Sequence, residues 1–471
     1  MAHSGTDKTT GVKPLAEALD GRRVTVWQML LIVLTLSALI LDGFDSKLLS
    51  YAAPLILKEW SLTQAAFSTA LAAAMAGMAI GAAVGGWLGD RSGRRNVIVG
   101  SLIVFGIATI GSGLSPNKEW MTLFRLISGI GFGAIVPNAF VLCAEWLPPR
   151  LQSRVIAIMA VGSPAGGMVG AGITITLLPE YGWRGVFIIA GVATAILGFI
   201  MFLWLPESPT FSVLKGREKR LQKDWRRIIR APLPVDSATL AAAAAEQKQQ
   251  GIRPRRSIFV PELLRLNVGL ALLISTGPFA IYIFGSWMPV ILTTAGLRIS
   301  DAIEGSFALN LLAVIAGLSA GELVRRYGTL IMYIGCAVLM IVSLATVAAV
   351  LAWSPAPGHG WTKIILLAAL GGYGGGGGAL VSVASANMTA AYPIDRRATG
   401  VGFGVTCARI GMIISIFAGG HLLTGFDNNP NALFLVAGLA MLVVIASSFI
   451  VDRHIPSRRS TKVELTPAPA E

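Results

Sequence analysis

Two aspartates and two arginines lie inside apolar runs that are long enough to enter a membrane. They are Asp42 and Asp45, three residues apart, Arg125 and Arg409. Ionisable side chains within spans are costly and usually functional. Two nearby carboxylates in a low-dielectric cavity resist simultaneous ionisation, so we expect this pair to carry a proton. Two guanidiniums that face one cavity would suit a carboxylate ligand. The alternatives are a structural aspartate pair satisfied by Arg125 or by helix ends, and a purely structural Arg125.

Further side chains in the spans could contact a ligand. Residues 277–297 form a span with two prolines, as expected of a broken helix around a midplane site. An aromatic ring could stack on an aromatic side chain, with core packing as the alternative. The candidates are Tyr282, Trp287 and Phe44 for stacking, and Asn138 and Asn387 for hydrogen bonding.

Two other polar residues are not assigned to the site. We expect Lys47 to extend toward the outer surface rather than to pair with an aspartate. His421 lies near a helix end, where histidine is usually a packing or interfacial residue.

The composition is that of a membrane protein. Of 471 residues, 54% are hydrophobic and 13% are charged, against about 25% charged in soluble proteins. The apolar runs are continuous rather than alternating, which favours helices over a β-barrel. The net charge of +14 resides in connecting segments, so it indicates topology and not nucleic-acid binding.

The sequence predicts an all-α polytopic membrane protein with twelve transmembrane helices in two six-helix bundles. A helix needs about 20 apolar residues to cross the hydrocarbon layer, and six such segments lie on each side of a polar stretch. Within that stretch, residues 240–250 are interpreted as a solvated linker. The predicted domains are an N-terminal tail (1–25), a first bundle (26–205), a central loop (206–265), a second bundle (266–452) and a C-terminal tail (453–471).

Basic residues predict the orientation. They crowd the central loop, whereas the short connections on the opposite side carry scattered single lysines and arginines. The positive-inside rule therefore places the central loop and both termini in the cytoplasm, in a plasma (inner) membrane protein. We expect no removable signal peptide, because residues 1–23 are polar and contain no short apolar region with a small-residue cleavage site. We expect no cofactor, no metal site and no catalytic residues, because no metal-ligand spacing or nucleophile–base arrangement is present.

The segment GGWLGDRSGRR at residues 85–95 resembles the loop motif between helices two and three of the major facilitator superfamily. A related segment, GELVRRYGT at 321–329, occupies the corresponding place in the second half, without the acid. The glycines would allow close approach and a tight turn. The resemblance implies that the motif acts as a gate latch. Its residues here are Gly86, Asp90, Arg91, Gly93 and Arg94, and Glu145 is added as a residue of the inner gate.

Within this superfamily the chain resembles the aromatic acid:proton symporter family. The similarity lies in the DGFD segment at 42–45, Arg125 with its downstream glycines, Trp287-x-Pro289 and Arg409-x-Gly411. It implies proton coupling through Asp42 and Asp45, and uptake of benzoate-type or hydroxybenzoate-type anions that requires Arg125 and Arg409.

One departure from the family pattern bears on the substrate, because Leu380 stands where a glutamine is usual. The expected partners are a small aromatic carboxylate, a proton and the bilayer, with function as a monomer. The alternatives are a symporter for another organic acid, a proton-coupled exporter and a membrane sensor of aromatic acids.

Overall fold

The computed structural model describes residues 13–20, 22–233, 257–353, 360–393, 396–451 and 453–456, together with residues 239 and 242. The predicted tails and central loop therefore lie partly outside the described residues. The 240–250 segment lies outside them except for residue 242. Within these ranges every regular element is a helix, so the all-α prediction is confirmed.

The first bundle is built from long apolar helices. Thr25 caps the start of α2 in a capping box. Asn117 caps the start of α5 by accepting from the backbone N–H of Trp120. A short helix in the predicted N-terminal tail precedes them. The helices are α1 (Lys13–Leu19), α2 (Val26–Glu59), α3 (Gln64–Ser92), α4 (Arg94–Gly113), α5 (Lys118–Glu145), α6 (Pro149–Ala160) and α7 (Gly162–Trp204).

The second bundle follows a connector that contains two short helices. In the second bundle, one span breaks at Ser286–Trp287, as the proline pattern of that span predicts. The helices are α8 (Pro209–Leu214), α9 (Glu218–Ile229), α10 (Pro261–Gly285), α11 (Met288–Thr294), α12 (Ile299–Tyr327), α13 (Thr329–Trp353), α14 (Gly360–Ala391), α15 (Arg397–Gly425) and α16 (Asn431–Ile450).

Eleven helical stretches within the described residues are long and apolar enough to cross a membrane. One of them, Pro149–Trp204, has 56 residues and contains both predicted spans five and six. At 1.5 Å per residue this stretch is far longer than a bilayer is thick. Gly182 interrupts it with a φ of 62° and a ψ of 178°. The break divides the stretch into the two predicted spans.

Small residues let the helices pack closely. A Cβ at Gly81 would overlap the backbone carbonyl of Ile130, and one at Gly133 would overlap that of Met78, so α3 and α5 touch through their backbones. Gly374 in the glycine-rich α14 meets the carbonyl of Leu309 in the same way. This stretch is thus a closely packed helix and not a loop.

Hydrogen bonds between the two bundles hold one end of the molecule together. We call the end at which residues 205–260 join them the connector end, and the opposite end the far end. At the far end, Gln64 Nε2 donates to Asn428 Oδ1 over 2.5 Å, and the Ala65 N–H donates to Thr424 Oγ1 over 2.9 Å. One hydrophobic cluster unites both bundles, and a second lies in the first bundle with α9. The space between the bundles therefore opens toward the connector end.

The amphipathic helix α9 docks against the first bundle. Trp225 is fully buried, and its ring centroid lies 6.1 Å from that of Trp146. Arg227 lies over Trp27, with its guanidinium carbon 4.4 Å from the ring centroid. Asp224 is partly buried in the same contact, and this burial raises the pKa of its carboxyl. The connector thus begins as a packed element.

Candidate functional site

A cavity of about 350 Å³ lies between the two bundles. Its walls come from the middle and connector-end halves of helices in both bundles. They are mostly apolar, with Met75, Phe132 and Phe140 among them. Asp42 from the first bundle and Arg409 and Tyr282 from the second supply polar groups. A small molecule with an apolar ring and an anionic group matches such a lining.

Asp42 is buried on α2 and faces this cavity. Ser46 Oγ donates to its Oδ1 over 3.3 Å, and Ser163 Oγ donates to its Oδ2 over 3.4 Å. Ser163 also lines the cavity. The sequence analysis did not propose Ser163, although its place in a small-residue segment, GSPAGG, was a usable signal.

Asp45 points away from the cavity into a closed cluster. Arg125 Nη1 lies 2.8 Å from Asp45 Oδ2, and Thr109 Oγ1 donates to Asp45 Oδ1 over 3.1 Å. A second arginine nitrogen reaches the Asp45 backbone carbonyl at 3.3 Å. The pairing of an aspartate with Arg125, which the sequence analysis gave as an alternative, therefore occurs at Asp45. However, Asp45 and Arg125 do not line the cavity, so the aspartates divide between two environments.

Arg409 reaches across the bundle interface. It lies on α15 of the second bundle, and its Nη1 donates to the backbone carbonyl of Met78 on α3 over 2.8 Å. The guanidinium is half-buried and borders the cavity. It is therefore both a cation at the cavity wall and a tie between the bundles.

Tyr282 is the candidate aromatic residue that lines the cavity. Lys47 Nζ lies 5.5 Å from its ring centroid, which is a cation–π geometry. Lys47 therefore follows neither expectation: it does not extend toward the outer surface, and it does not pair with an aspartate. It extends from α2 toward the second bundle, which we did not predict. His421 is exposed and bonds the carbonyl of its own helix residue Phe417.

Besides Arg125, four predicted binding residues lie outside the central cavity. Trp287 is fully buried, and its indole N–H donates to the carbonyl of Ile416 over 3.1 Å. Phe44 packs against Gly170. Asn138 Nδ2 donates to the carbonyl of Gly85 over 2.8 Å and so joins α5 to α3. Asn387 is fully buried and borders a second cavity.

The loop motif lies at the connector end. Gly93 and Gly328 adopt φ values of 102° and 79°, so both copies of the motif use glycine for the same turn. Gly86 has open space around it, and the expected close approach is wrong at this position. It occurs instead at Gly85 and Gly89, which face α5.

The charged residues of the motif, Asp90, Arg91 and Arg94, make their contacts within the first bundle. The Asp90 side chain is 78% exposed, and it lies 3.7 Å from Arg94 of the same bundle. Arg94 also pairs with the buried Glu145, and Ser208 donates to the same carboxylate. Arg91 lies over the Trp87 ring. The exposed Asp90 fits an interface that is open at the connector end.

Sequence reasoning also missed Glu207, which supports this motif. One of its carboxylate oxygens, Oε1, accepts from the backbone N–H of Arg95 over 3.1 Å and from that of Ser208 over 2.9 Å. Its own carbonyl accepts from the Trp146 indole over 3.1 Å. An acid directly after the sixth span, beside a basic connector, was the available signal.

Comparison with known proteins gives matches over nearly the whole chain. The chain is 28% identical to the 4-hydroxybenzoate transporter PcaK of Pseudomonas putida, with 90% of this chain and 93% of that protein covered. It is 28% identical to the gallate transporter of the same species, covering 93% and 96%. It is 25% identical to the benzoate transport protein of Acinetobacter baylyi, covering 93% and 92%.

The fold is shared with a solved transporter. The inward-open xylose transporter XylE from E. coli superposes with a TM-score of 0.70 at 16% identity, covering 90% of this chain and 96% of that one. These relatives carry transporter names, which confirms that the chain is not an enzyme. The Major Facilitator Superfamily pattern matches residues 35–357 and 321–471. The chain is therefore a multi-pass membrane protein that belongs to the major facilitator superfamily.

Proposed function

We propose that the protein imports an aromatic carboxylate together with a proton, by alternating access of the central cavity. The observation that carries this proposal is the joint lining of that cavity by Asp42 from one bundle and by Arg409 and Tyr282 from the other. Coupled transport of an aromatic carboxylate needs a group that carries the proton, a cation that binds the carboxylate and an aromatic ring that stacks on the substrate. The carboxyl, the guanidinium and the aromatic ring in this apolar wall provide them.

The substrate class follows from the cavity lining. A guanidinium binds a carboxylate through charge-assisted hydrogen bonds, and Arg409 presents one to the cavity. The surrounding methionine and phenylalanine side chains favour an apolar ring over a sugar or an amino acid. The names of the relatives, which refer to 4-hydroxybenzoate, benzoate and gallate, support the same class.

We assign the exchangeable proton to Asp42 and not equally to both aspartates. The Asp45 carboxylate already has a charged partner, because the guanidinium of Arg125 lies 2.8 Å from it inside the first bundle. Asp42 has hydroxyl partners and borders the cavity, where water and substrate can reach it. In this assignment the Asp45–Arg125 pair maintains the shape of the first bundle, and Asp42 changes charge during the cycle.

The cycle then has a simple electrostatic order. With the cavity open outward, Asp42 takes up a proton and the substrate carboxylate docks on Arg409. Both charges of the cavity are then neutralised, and closing it costs less. After inward opening, Asp42 releases the proton and the substrate leaves. The positive-inside rule makes the connector end cytoplasmic, so the described state faces inward in the plasma membrane.

One chain provides both walls of the cavity, so we propose that a monomer is sufficient for transport. The described chain begins and ends beside the connector end, so we propose that both termini are cytoplasmic.

Transport by reconstituted protein tests the proposal. A thermal-shift screen against benzoate, hydroxybenzoates, phenoxyacetates and dicarboxylic acids first identifies a ligand. Asp42→Asn should then exchange labelled substrate across the membrane but fail to accumulate it under an inward proton gradient. Arg409→Gln should lose binding, and Arg409→Lys should recover part of it. Uphill accumulation by Asp42→Asn would refute the coupling.

The same preparation separates the alternatives. Proton-driven accumulation of substrate inside everted membrane vesicles, whose lumen corresponds to the cell exterior, would identify an exporter. Saturable binding without any flux would identify a sensor. A thermal response to aliphatic dicarboxylic acids alone would identify a symporter for another organic acid.

A further inference from the structure

A second cavity, of about 540 Å³, lies within the second bundle at its connector end. It is bordered by the end of α14, the start of α15 and the segment after α16. It shares no lining residue with the central cavity. Among its lining residues are Asn387, Arg397 and Arg453. The transport cycle proposed above does not use it.

Buried polar atoms without hydrogen-bond partners concentrate around this cavity. Asn387 is 0% exposed, and its amide makes no well-formed hydrogen bond among the described residues, although the buried hydroxyl of Tyr333 lies close enough to interact with it. The Nε of Arg397 is buried without a described partner. An unpaired buried polar group costs about 1–3 kcal/mol. Such a group of donors at a roomy cavity indicates a bound polar species.

Other polar groups of the cavity wall are already satisfied. The Tyr392 hydroxyl donates to Asn267 Oδ1 over 2.7 Å. His454 bonds Thr329 Oγ1 through Nδ1 and the Ser448 carbonyl through Nε2. The free hydrogen-bonding capacity is therefore on Asn387 and Arg397, and it consists mainly of donors.

Among the residues that the structure describes, two arginines line this cavity. Arg397 and Arg453 bring their guanidinium groups to its wall, and Arg453 uses one nitrogen for the carbonyl of Ala391 at 3.2 Å. The 29-residue helix α15 begins at Arg397, so the positive end of its dipole lies at the same place. Guanidiniums, an amide and a helix start together bind oxyanions.

We propose that this second cavity is a binding site for a phosphate group. It lies where the spanning helices end, which is the level of phospholipid headgroups. Two guanidiniums match the charge of a phosphate, and the amide of Asn387 would meet the innermost oxygen. The phosphate can be that of a lipid headgroup or of a free phosphate, since the same groups recognise both.

The test uses the purified full-length chain, stripped of lipid in detergent, and follows its thermal unfolding. Sodium phosphate is compared with sodium chloride at matched ionic strength, and short-chain phosphatidylglycerol is compared with the diacylglycerol of equal chain length. We expect a saturable rise of the melting temperature with a phosphate-bearing compound only. A response to phosphate alone identifies a free anion, and a response to the phospholipid alone identifies a headgroup.

Variants locate the response. Arg397→Gln and Arg453→Gln should each raise the half-saturating concentration at least about tenfold, and Arg397→Lys should raise it less. The matched control is Arg326→Gln, an exposed arginine at the same end that pairs with Glu322. If the glutamine variants do not melt cooperatively, Asn387→Ser carries the comparison. It removes no charge from the cavity wall.

Three outcomes would overturn the proposal. They are equal responses to phosphate and chloride, no saturable response in either arm, and a response that survives in all of the cavity variants. The second outcome would mean that water or a carboxylate of the chain itself fills the cavity.

Discussion

Replacing Arg125 separates a structural role from a substrate-binding role. Arg125 and Asp45 are 1% and 4% exposed, and their charged groups meet at 2.8 Å. In Arg125→Gln the Asp45 carboxylate would keep the hydroxyl of Thr109 at 3.1 Å but lose its counter-ion. The variant therefore leaves an uncompensated charge in the interior of the first bundle.

The expected cost is large. Removing one partner of a buried ion pair destabilises by about 3–5 kcal/mol. For a unit of roughly the size of one bundle, this corresponds to a fall of the melting temperature on the order of 10 °C. The double variant Arg125→Gln with Asp45→Asn buries two neutral amides and should regain most of that loss, since no charge is left unpaired.

Thermal unfolding in detergent measures the loss and the recovery. The control is Arg184→Gln, which breaks a partly exposed pair with Glu59 and should cost at most about 1 kcal/mol. Binding of the aromatic acid is measured on the same samples. Because Arg125 does not line the cavity, the double variant should bind the acid within about threefold of wild type. A loss of a hundredfold or more would refute this reasoning and restore Arg125 as a substrate ligand.

Further predictions concern the packing, the gate and the connector. Gly81→Val should destabilise by about 1–3 kcal/mol because its side chain has no room against α5, whereas Gly86→Ala, in open space, should be neutral or stabilising in the same melts. Glu145→Gln should lower the melting temperature, because Glu145 is the buried partner of Arg94. Asp90→Asn should change the free energy of unfolding by no more than about 0.5 kcal/mol, because Asp90 is exposed in this state. Burial raises the pKa of Asp224, so the folded state holds this proton more tightly than the unfolded state. The docking of α9 should strengthen as the pH falls from neutral toward that raised pKa and weaken as the pH rises through it. Limited proteolysis of the connector should detect this change, and Asp224→Asn should abolish it.

Sequence reasoning identified the charged groups of the site because charge inside an apolar span is rare and needs a reason. Asp42, Arg409 and Tyr282 all border the central cavity. The pairing of Asp45 with Arg125 was also foreseen as one possibility. The resemblance of residues 85–95 to the superfamily loop motif predicted a tight turn, and the structure has it at Gly93 and at Gly328 in the related segment.

Sequence reasoning could not tell which face of each helix turns toward the cavity. Asp42 and Asp45 are three residues apart, a spacing that puts them on one side of a helix, yet they face different neighbours. The difference of about 60° in direction is decided by how α2 rotates against α5 and α7. That rotation depends on backbone contacts such as Gly43 with the carbonyl of Ser163, which are long-range. The orientation of Trp287 is likewise decided by long-range packing, which turns its ring into the core and not toward the cavity.

In the proposed cycle, the hydrogen bond from Arg409 to the Met78 carbonyl links ligand binding to bundle movement. Met78 belongs to the first bundle and Arg409 to the second, and the bond joins them beside the cavity at 2.8 Å. A carboxylate that docks on Arg409 competes for the same donors, and its charge-assisted bonds are roughly twice as strong as the neutral one that it displaces. A ligand shifts a conformational equilibrium only through different affinities for the two states. In the proposed cycle the difference arises at Arg409, because its guanidinium is bonded to the Met78 carbonyl in the described state and a docked carboxylate would take its place.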